Sequence, residues 1–505
     1  MSSGSPAPPA ARARGPVAVL RLLSWGLAVL LLTDAIAQAL VHLRDLSHVN
    51  HITGIWVTLA QSLHEGVFYP PVEQDGHYAG TRYVPVFFVL VSGLSEITAD
   101  YVAAAKLAAL LSVVSLLGVI FAVTRRVTGR GADGLVTTAV FLAFLEGRDA
   151  LLSPHADALA VALSLGGLLL CARERAGKFT LVAAAVLFAL AILTKVTSVA
   201  GPAAACVTLL VRDRRSGLLL AGLTAAFAAA GLLAVNSLSD SRFLDNLRAV
   251  NSGGELGGSL WTAPAALLNT LSQSAHYSLV VPVVIPAAAY TLAWHAMQWR
   301  FSTWDWYSLF AWVSAAVVLT VPGTDRNHLL ELQVSAVIVL AAWLRPAEPV
   351  AITKAELVAR GLMVAAILLA LVRDVRAWAG GPRPDTVPSG VLAEELASEG
   401  PLLSEDATVP VLLGRRPVLL DPYSYRVLVE RGRVDPNVLS GRVRRREFTA
   451  LVLLRHLHDP NHPLNPAFNK LHFGPTVTDV IREEYQFEHR IGPYYVFRPR
   501  PQPHP

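Results

Sequence analysis

The sequence predicts a mostly α fold: a polytopic membrane bundle of about eleven spanning helices, with a small α/β domain at the C-terminal end. Three observations carry this. The chain of 505 residues is 53% hydrophobic and only 16% charged, with a mean hydropathy of +0.47; a soluble chain would be about a quarter charged. Apolar runs of about 15 to 25 residues recur between Val17 and Val372, long enough to cross a hydrocarbon core as helices. Beyond about residue 385 short mixed segments replace them.

The first 16 residues, rich in Ser, Pro and Ala, read as a disordered tail. Residues 17–41, "VAVLRLLSWGLAVLLLTDAIAQALV", exceed the apolar core of a cleaved signal and read as a retained helix. Further spans are expected near 102–124, 132–146, 156–172, 179–195, 198–211, 217–236, 277–297, 305–321, 328–344 and 355–372. The connections between them differ in charge. One set carries Arg12, Arg14 and Arg21, then Arg125, Arg126 and Arg130, then Arg173, Arg175 and Lys178, then Arg212, Arg214 and Arg215, then Arg300, Arg345 and Lys354. The other set is richer in His, Asp, Asn and Gly. The two alternate without a break only if "RYVPVFFVLVSGLSEI" (82–97) does not cross. The positive-inside rule then predicts a multi-pass protein of the cell membrane, N-terminus cytoplasmic and C-terminal domain outside. Residues 42–101 become a large first outer loop in a membrane domain spanning 17–372.

Residues 373–390 contain "GGPRPDTVPSG", a Pro/Gly linker. In 391–505, "VPVLLG", "FTALVLL" and "YYVFRP" read as strands, and "VLAEELASEG" and "YSYRVLVERG" as short helices. Cys171 and Cys206 lie in apolar runs and offer neither a disulfide framework nor a zinc motif. The net charge of +5 is small, and no nucleic-acid partner is expected. P-loop, HExxH and GxSxG motifs are absent.

Polar residues collect on the expected outer face. In the first loop stand Asp45, Glu65, Asp75, His77, Arg82 and Tyr83. Between them, "GIWVTLAQSLHEG" reads as an amphipathic helix lying on the membrane surface. "EGRDALLSPHAD" brings Arg148, His155 and Asp157, and "TKVTS" brings Lys195. "PGTDRNHLLEL" brings Asp325, Arg326, Asn327, His328 and Glu331, with Glu331 one turn inside a span on the face of Asn327 and His328. Ionisable groups at such depth cost several kcal/mol unless paired or wet, which marks them as functional candidates. Structural readings compete. Arg148 and Lys195 also suit snorkelling anchors, and Asp157 suits a helix cap. Asp325 with Arg326 suits a plain ion pair, and Tyr69, Tyr78 and Tyr83 suit an interfacial belt. His458 and His462 in "HDPNH" read as surface histidines.

Four stretches together resemble the GT-C class of membrane glycosyltransferases. They are "WVTLAQSLHEGVFYPP" after helix 1, "SPHADALAVALSLGGLLL", "LAILTKVTSVAGPAA" and "DRNHLLELQVSAVIVLAAW". "LLSEDATVPVLLGRRPVLLDPYSYRVLVERGRVD" is similar to the C-terminal domain of a bacterial branch. The resemblance implies a hexosyl- or pentosyltransferase using a polyprenyl-phosphate sugar. The acceptor would be a glycan, lipid or protein outside the cytoplasm. It implies an acid in the first outer loop as base or metal ligand. Asp45 is the leading candidate, with Asp75 and Glu65 as alternatives; a divalent cation, Mg or Mn, is compatible with that role. Here the family's acidic pair after helix 1 is replaced by "LRDLSHVNHITG", with one acid. The donor phosphate is assigned to Arg82, Lys195 and Arg326 with His328, while Asp157 and Glu331 orient these cations or meet sugar hydroxyls. A transporter or flippase of a lipid-linked sugar is the alternative; it would show internal repeats and broken helices near mid-membrane, and no repeat is visible.

Overall fold

The structure is a computed structural model. It describes residues 14–173, 177–251, 260–321, 323–345, 354–380, 387–397 and 399–501. The expected N-terminal tail and the middle of the 373–390 linker lie largely outside these residues.

The chain runs α1 (Arg14–Val41), α2 (His51–His64), the hairpin β1 (Glu73–Gln74) and β2 (His77–Tyr78), α3 (Val86–Thr98), α4 (Tyr101–Thr128), α5 (Gly131–Ala143), α6 (Leu145–Leu152) and α7 (Asp157–Cys171). Then come α8 (Lys178–Thr194), α9 (Ala200–Arg212), α10 (Arg214–Leu238), α11 (Arg242–Asn251), α12 (Ala263–Tyr277), α13 (Val280–Met297), α14 (Thr303–Val318), α15 (Leu330–Ala341) and α16 (Lys354–Ala379). Each expected span falls on a helix. Six helices reach the length and hydropathy of a full crossing, seven if α6 and α7, bent by 109°, count as one. Helix α5, with 13 residues, is only about 20 Å long at 1.5 Å per residue. Length and composition thus support six to seven crossings among the described residues, where sequence alone suggested eleven.

Local chemistry sets the helix ends. Asp100 starts α4 by accepting from the backbone N–H of Val102 at 2.7 Å and Ala103 at 3.3 Å. Asn50 starts α2 in a capping box with Thr53. Residues 82–97 do not continue into α4. Helix α3 ends at Ala99, in the left-handed region at φ 53°, and folds back against α4.

Two buried ionic clusters tie the bundle. Toward one end, Glu356 of α16 accepts from Arg21 of α1 and from Arg130 and Arg360, and Arg360 also pairs with Asp133 of α5 at 2.8 Å. Arg148 of α6 bridges Asp34 of α1 and Asp374 of α16. Buried pairs of this kind hold register; losing one partner strands the other.

The C-terminal domain contains α17 (Ser389–Leu396), β3 (Leu402–Ser404), α18 (Thr408–Leu412), α19 (Pro422–Glu430), α20 (Pro436–Arg444), β4 (Ala450–Leu453), α21 (Asn465–Leu471), α22 (Pro475–Glu484), β5 (Tyr485–Ile491) and β6 (Tyr494–Pro499). The sheet order is β3-β4-β6-β5, with β3 and β4 parallel and the other pairs antiparallel. This is the small α/β unit expected from sequence, with one exchange. "VPVLLG" is not a strand: Asp406 accepts from Thr408 N–H at 2.9 Å and starts a short helix there.

Helix α2 is the larger correction. Every residue from Thr53 to Ser62 is buried. Its polar face meets α18 of the C-terminal domain, not a membrane surface. A Cβ on Gly54 would lie 2.5 Å from Asp406 Oδ1 and 2.8 Å from Thr408 N, so only glycine fits this contact. The loop between α1 and α4 docks on the same domain. Tyr78 N–H donates to Val418 O at 2.8 Å, and Leu420 N–H to Tyr78 O at 2.9 Å.

Candidate active site

A cavity of about 320 Å³ is lined by the membrane bundle and the loop before α3. Six segments shape it. Helix α2 contributes Ile52 and Trp56, and the strand-like run after the hairpin contributes Arg82, Tyr83 and Val84. The bend between α6 and α7 contributes His155, Ala156 and Asp157. The α8–α9 connection contributes Lys195, Val196 and Thr197, and α14 contributes Val317 and Val318. The segment before α15 contributes Asp325, Asn327 and His328. A smaller cavity adjoins it, sharing Asp157, Lys195, Asn327 and His328 and adding Glu331.

Asp157 is the hub. It ion-pairs with Lys195, and the Asn327 amide donates to both its oxygens at 3.2 and 3.3 Å. The Asn50 amide lies 3.4 Å from His155 Nε2. Trp56 and Tyr83 form an aromatic wall with ring centroids 4.6 Å apart. Trp56 Nε1 is buried without a hydrogen-bond partner among the described residues. One wall is apolar (Ile52, Val84, Val196, Val317, Val318, Val321), and Arg82 and Lys195 supply the cations.

Of the residues singled out from sequence, Arg82, Tyr83, His155, Asp157, Lys195, Asp325, Asn327 and His328 come together here, with Glu331 alongside. The others stand elsewhere. Arg326 does not line the cavity; its guanidinium lies 4.9 Å over the Tyr277 ring. Arg148 is committed to Asp34 and Asp374. His77 Nδ1 is 2.8 Å from Pro417 O, on the C-terminal domain.

The three acids taken as base from sequence are also elsewhere. Glu65 is exposed at the C-terminus of α2, and Asp75 is exposed in the β1–β2 turn. Asp45 is buried and already engaged. His42 Nδ1 is 2.5 Å from it, Ser47 N–H donates at 2.9 Å, and Lys106 Nζ donates at 3.2 Å. Burial raises its carboxyl, but the Ser47 and His42 hydrogen bonds and the Lys106 charge outweigh this and hold it below its ordinary value. Lys106 also donates to the carbonyls of His42, Asp45 and Ser47. The cluster therefore locks the exit of α1. Sequence reading missed Lys106, although a lone lysine in the apolar run "AAAKLAALL" was the available signal.

The profile of Glycosyltransferase family 87 matches residues 81–322, the stretch that holds Arg82, His155, Asp157 and Lys195. That stretch is similar to Glycosyltransferase family 87, and the chain as a whole has a fold of the GT-C class. Among solved structures it is similar to ArnT from Cupriavidus metallidurans. The apo form superposes with a TM-score of 0.58 at 16% identity, covering 94% of this chain and 97% of that one. The form bound to undecaprenyl phosphate gives 0.57 at 15% identity, covering 94% and 98%. The archaeal oligosaccharyltransferase AglB from Archaeoglobus fulgidus, in complex with an inhibitory peptide and a dolichol-phosphate, gives 0.51 at 12% identity over 92% of this chain and 74% of that one. These likenesses establish the fold. No curated protein matches the sequence.

Proposed function

We propose that this cavity transfers a single sugar, hexose or pentose, from a polyprenyl-phosphate donor to an acceptor hydroxyl outside the cytoplasm. The observation that carries the reading is one cavity pairing two cations, Arg82 and Lys195, with a wall of Val317, Val318 and Val321. A lipid phosphate needs both chemistries at once. ArnT, of the same fold, was solved with undecaprenyl phosphate.

In this reading the donor phosphate sits between Arg82 and Lys195, with the first prenyl units along the valines. The sugar lies against Trp56 and Tyr83, where the Trp56 indole N–H meets a hydroxyl. The acceptor oxygen attacks the anomeric carbon, and the bond from that carbon to the phosphate oxygen breaks. The departing prenyl phosphate gains negative charge, which the two cations absorb. The acceptor proton passes to a carboxylate. Asp157 is taken by Lys195 and Asn327. Asp325 also lines the cavity; its side chain is 77% exposed, accepts from Arg326 N–H at 2.6 Å and lies 3.8 Å from Arg326 Nε. We assign the base role to Asp325 in place of Asp45, Asp75 and Glu65.

Among the described residues no group of three or more His, Cys, Asp or Glu side chains is gathered to hold a metal ion, and the steps above use none. The orientation follows the basic connections. Arg21, Arg130 and Arg360 meet Glu356 at one end of the bundle, while the exit of α1 meets the start of the C-terminal domain through Leu46 N–H and Val387 O. The cavity end is therefore read as extracytoplasmic.

Membranes containing the full chain, incubated with sugar-labelled decaprenyl phosphate, are expected to consume donor and release decaprenyl phosphate as label moves to an acceptor. Asp325→Asn should lower turnover by about 10²-fold or more with donor binding retained. Intact labelled lipid moving between leaflets would instead mark a flippase, and a fully active Asp325→Asn would remove Asp325 as base.

A further inference from the structure

One side chain of the C-terminal domain, Tyr423, packs against residues that line the cavity. Tyr423 lies in the first turn of α19, and the Arg82 guanidinium sits over its ring at 5.6 Å from the centroid. A Cβ on Gly323 would fall 3.2 to 3.3 Å from its Cε2, Cζ and Oη. Arg82 and Gly323 both line the cavity, so Tyr423 stands at its rim. The ring is itself held in place. Buried Asp421 accepts from Tyr423 N–H at 3.0 Å, Ser424 N–H at 3.2 Å and Ser424 Oγ at 2.6 Å, which fixes the start of α19. One turn on, Arg426 lays a second guanidinium over the ring at 5.5 Å.

We propose that Tyr423 is a positioning residue: the C-terminal domain uses its ring to hold Arg82 toward the donor phosphate. The geometry suits this task. A guanidinium held over a ring by cation–π attraction keeps N–H donors for a phosphate. Arg82 sits on a connection without regular secondary structure, between β2 and α3. Its side chain therefore needs a partner to settle one rotamer, and Tyr423 supplies it from a separate domain. A platform for an acceptor sugar is the weaker use of this ring, because two arginines already lie over it.

The inference rests on the proposed phosphate site, and the test separates the two. The purified full chain is titrated with decaprenyl phosphate, using wild type, Tyr423→Leu, Tyr423→Phe, Arg82→Ala and the double variant Arg82→Ala/Tyr423→Leu. Tyr423→Leu should weaken binding about five- to thirtyfold, while Tyr423→Phe, which keeps the ring, stays within about twofold of wild type. In the Arg82→Ala background, Tyr423→Leu should add no further loss. Wild-type binding by Tyr423→Leu, or an undiminished loss in the Arg82→Ala background, overturns the positioning role. Wild-type binding by Arg82→Ala overturns the phosphate site itself, and the positioning role falls with it.

Discussion

At the residue scale, the Asp157–Lys195 pair decides between an anchor and a working site. A half-buried lysine at the end of α8 is satisfied by snorkelling alone. Here it bonds a buried carboxylate that also holds Asn327, and all three line the cavity. Lys195→Met alone strands the Asp157 charge and should destabilise the protein by about 3 kcal/mol. The double variant Lys195→Met/Asp157→Asn should recover much of that in a thermal melt, yet remain inactive because the phosphate has lost a cation. An active double variant would return Lys195 to a structural role. These residues were legible in sequence because ionisable groups stand out within apolar runs. The engagement of Asp45 was not legible, for the converse reason. Its partner Lys106 is 61 positions away, and a lone sequence does not show which distant charge will neutralise which. Tyr423 left no signal at all, since an aromatic in a helical pattern reads as core.

At the scale of elements, helical period identified most of the longer helices, left short ones such as α6, α11 and α20 unread, and misled where the solvent was another domain. The polar face of α2 was assigned to a membrane surface because periodicity separates faces without saying what meets them. Helix α18 covers that face, and Gly54 permits the approach. Gly54→Ala should therefore cost about 1–3 kcal/mol and lower the melting temperature, since backbone at Thr408 cannot step aside as a side-chain tip would; an unchanged melt would contradict the contact. Strands β3 and β5 went unread, one three residues long and the other polar at most positions. The same interface carries a pH dependence. Burial raises the Asp406 carboxyl to about 6, against hydrogen bonds from Thr408 N–H and from Tyr494 Oη, the latter at 2.8 Å. A carboxyl raised above its unfolded value binds protons more readily in the folded state. Its contribution is thus full below about pH 4 and is lost as pH rises through about 6. Relative to wild type, Asp406→Asn should gain on the order of 2 kcal/mol at pH 7, and the gain should vanish near pH 4. A difference in melting temperature constant from pH 4 to 7 would contradict this assignment.

At the scale of the molecule, the bundle and the loop between α1 and α4 line one cavity, and the α/β domain holds that loop. The bundle supplies Asp157, Lys195, Asn327 and the valine wall; the loop, pinned to the domain at Tyr78, delivers Arg82 and Tyr83. This explains why the connection after the β1–β2 hairpin is polar and aromatic where a plain link would suffice. Its first half docks on the domain and its second half lines the cavity. The most direct test is an experimental structure of the full chain in a lipid nanodisc with a non-cleavable donor, a sugar joined to polyprenyl phosphonate. The account predicts the phosphonate within hydrogen-bond distance of Arg82 and Lys195, the sugar against Trp56 and Tyr83, and the prenyl chain leaving along Val317, Val318 and Val321. A headgroup bound beside Asp45 and Lys106, or anywhere outside this cavity, would contradict it.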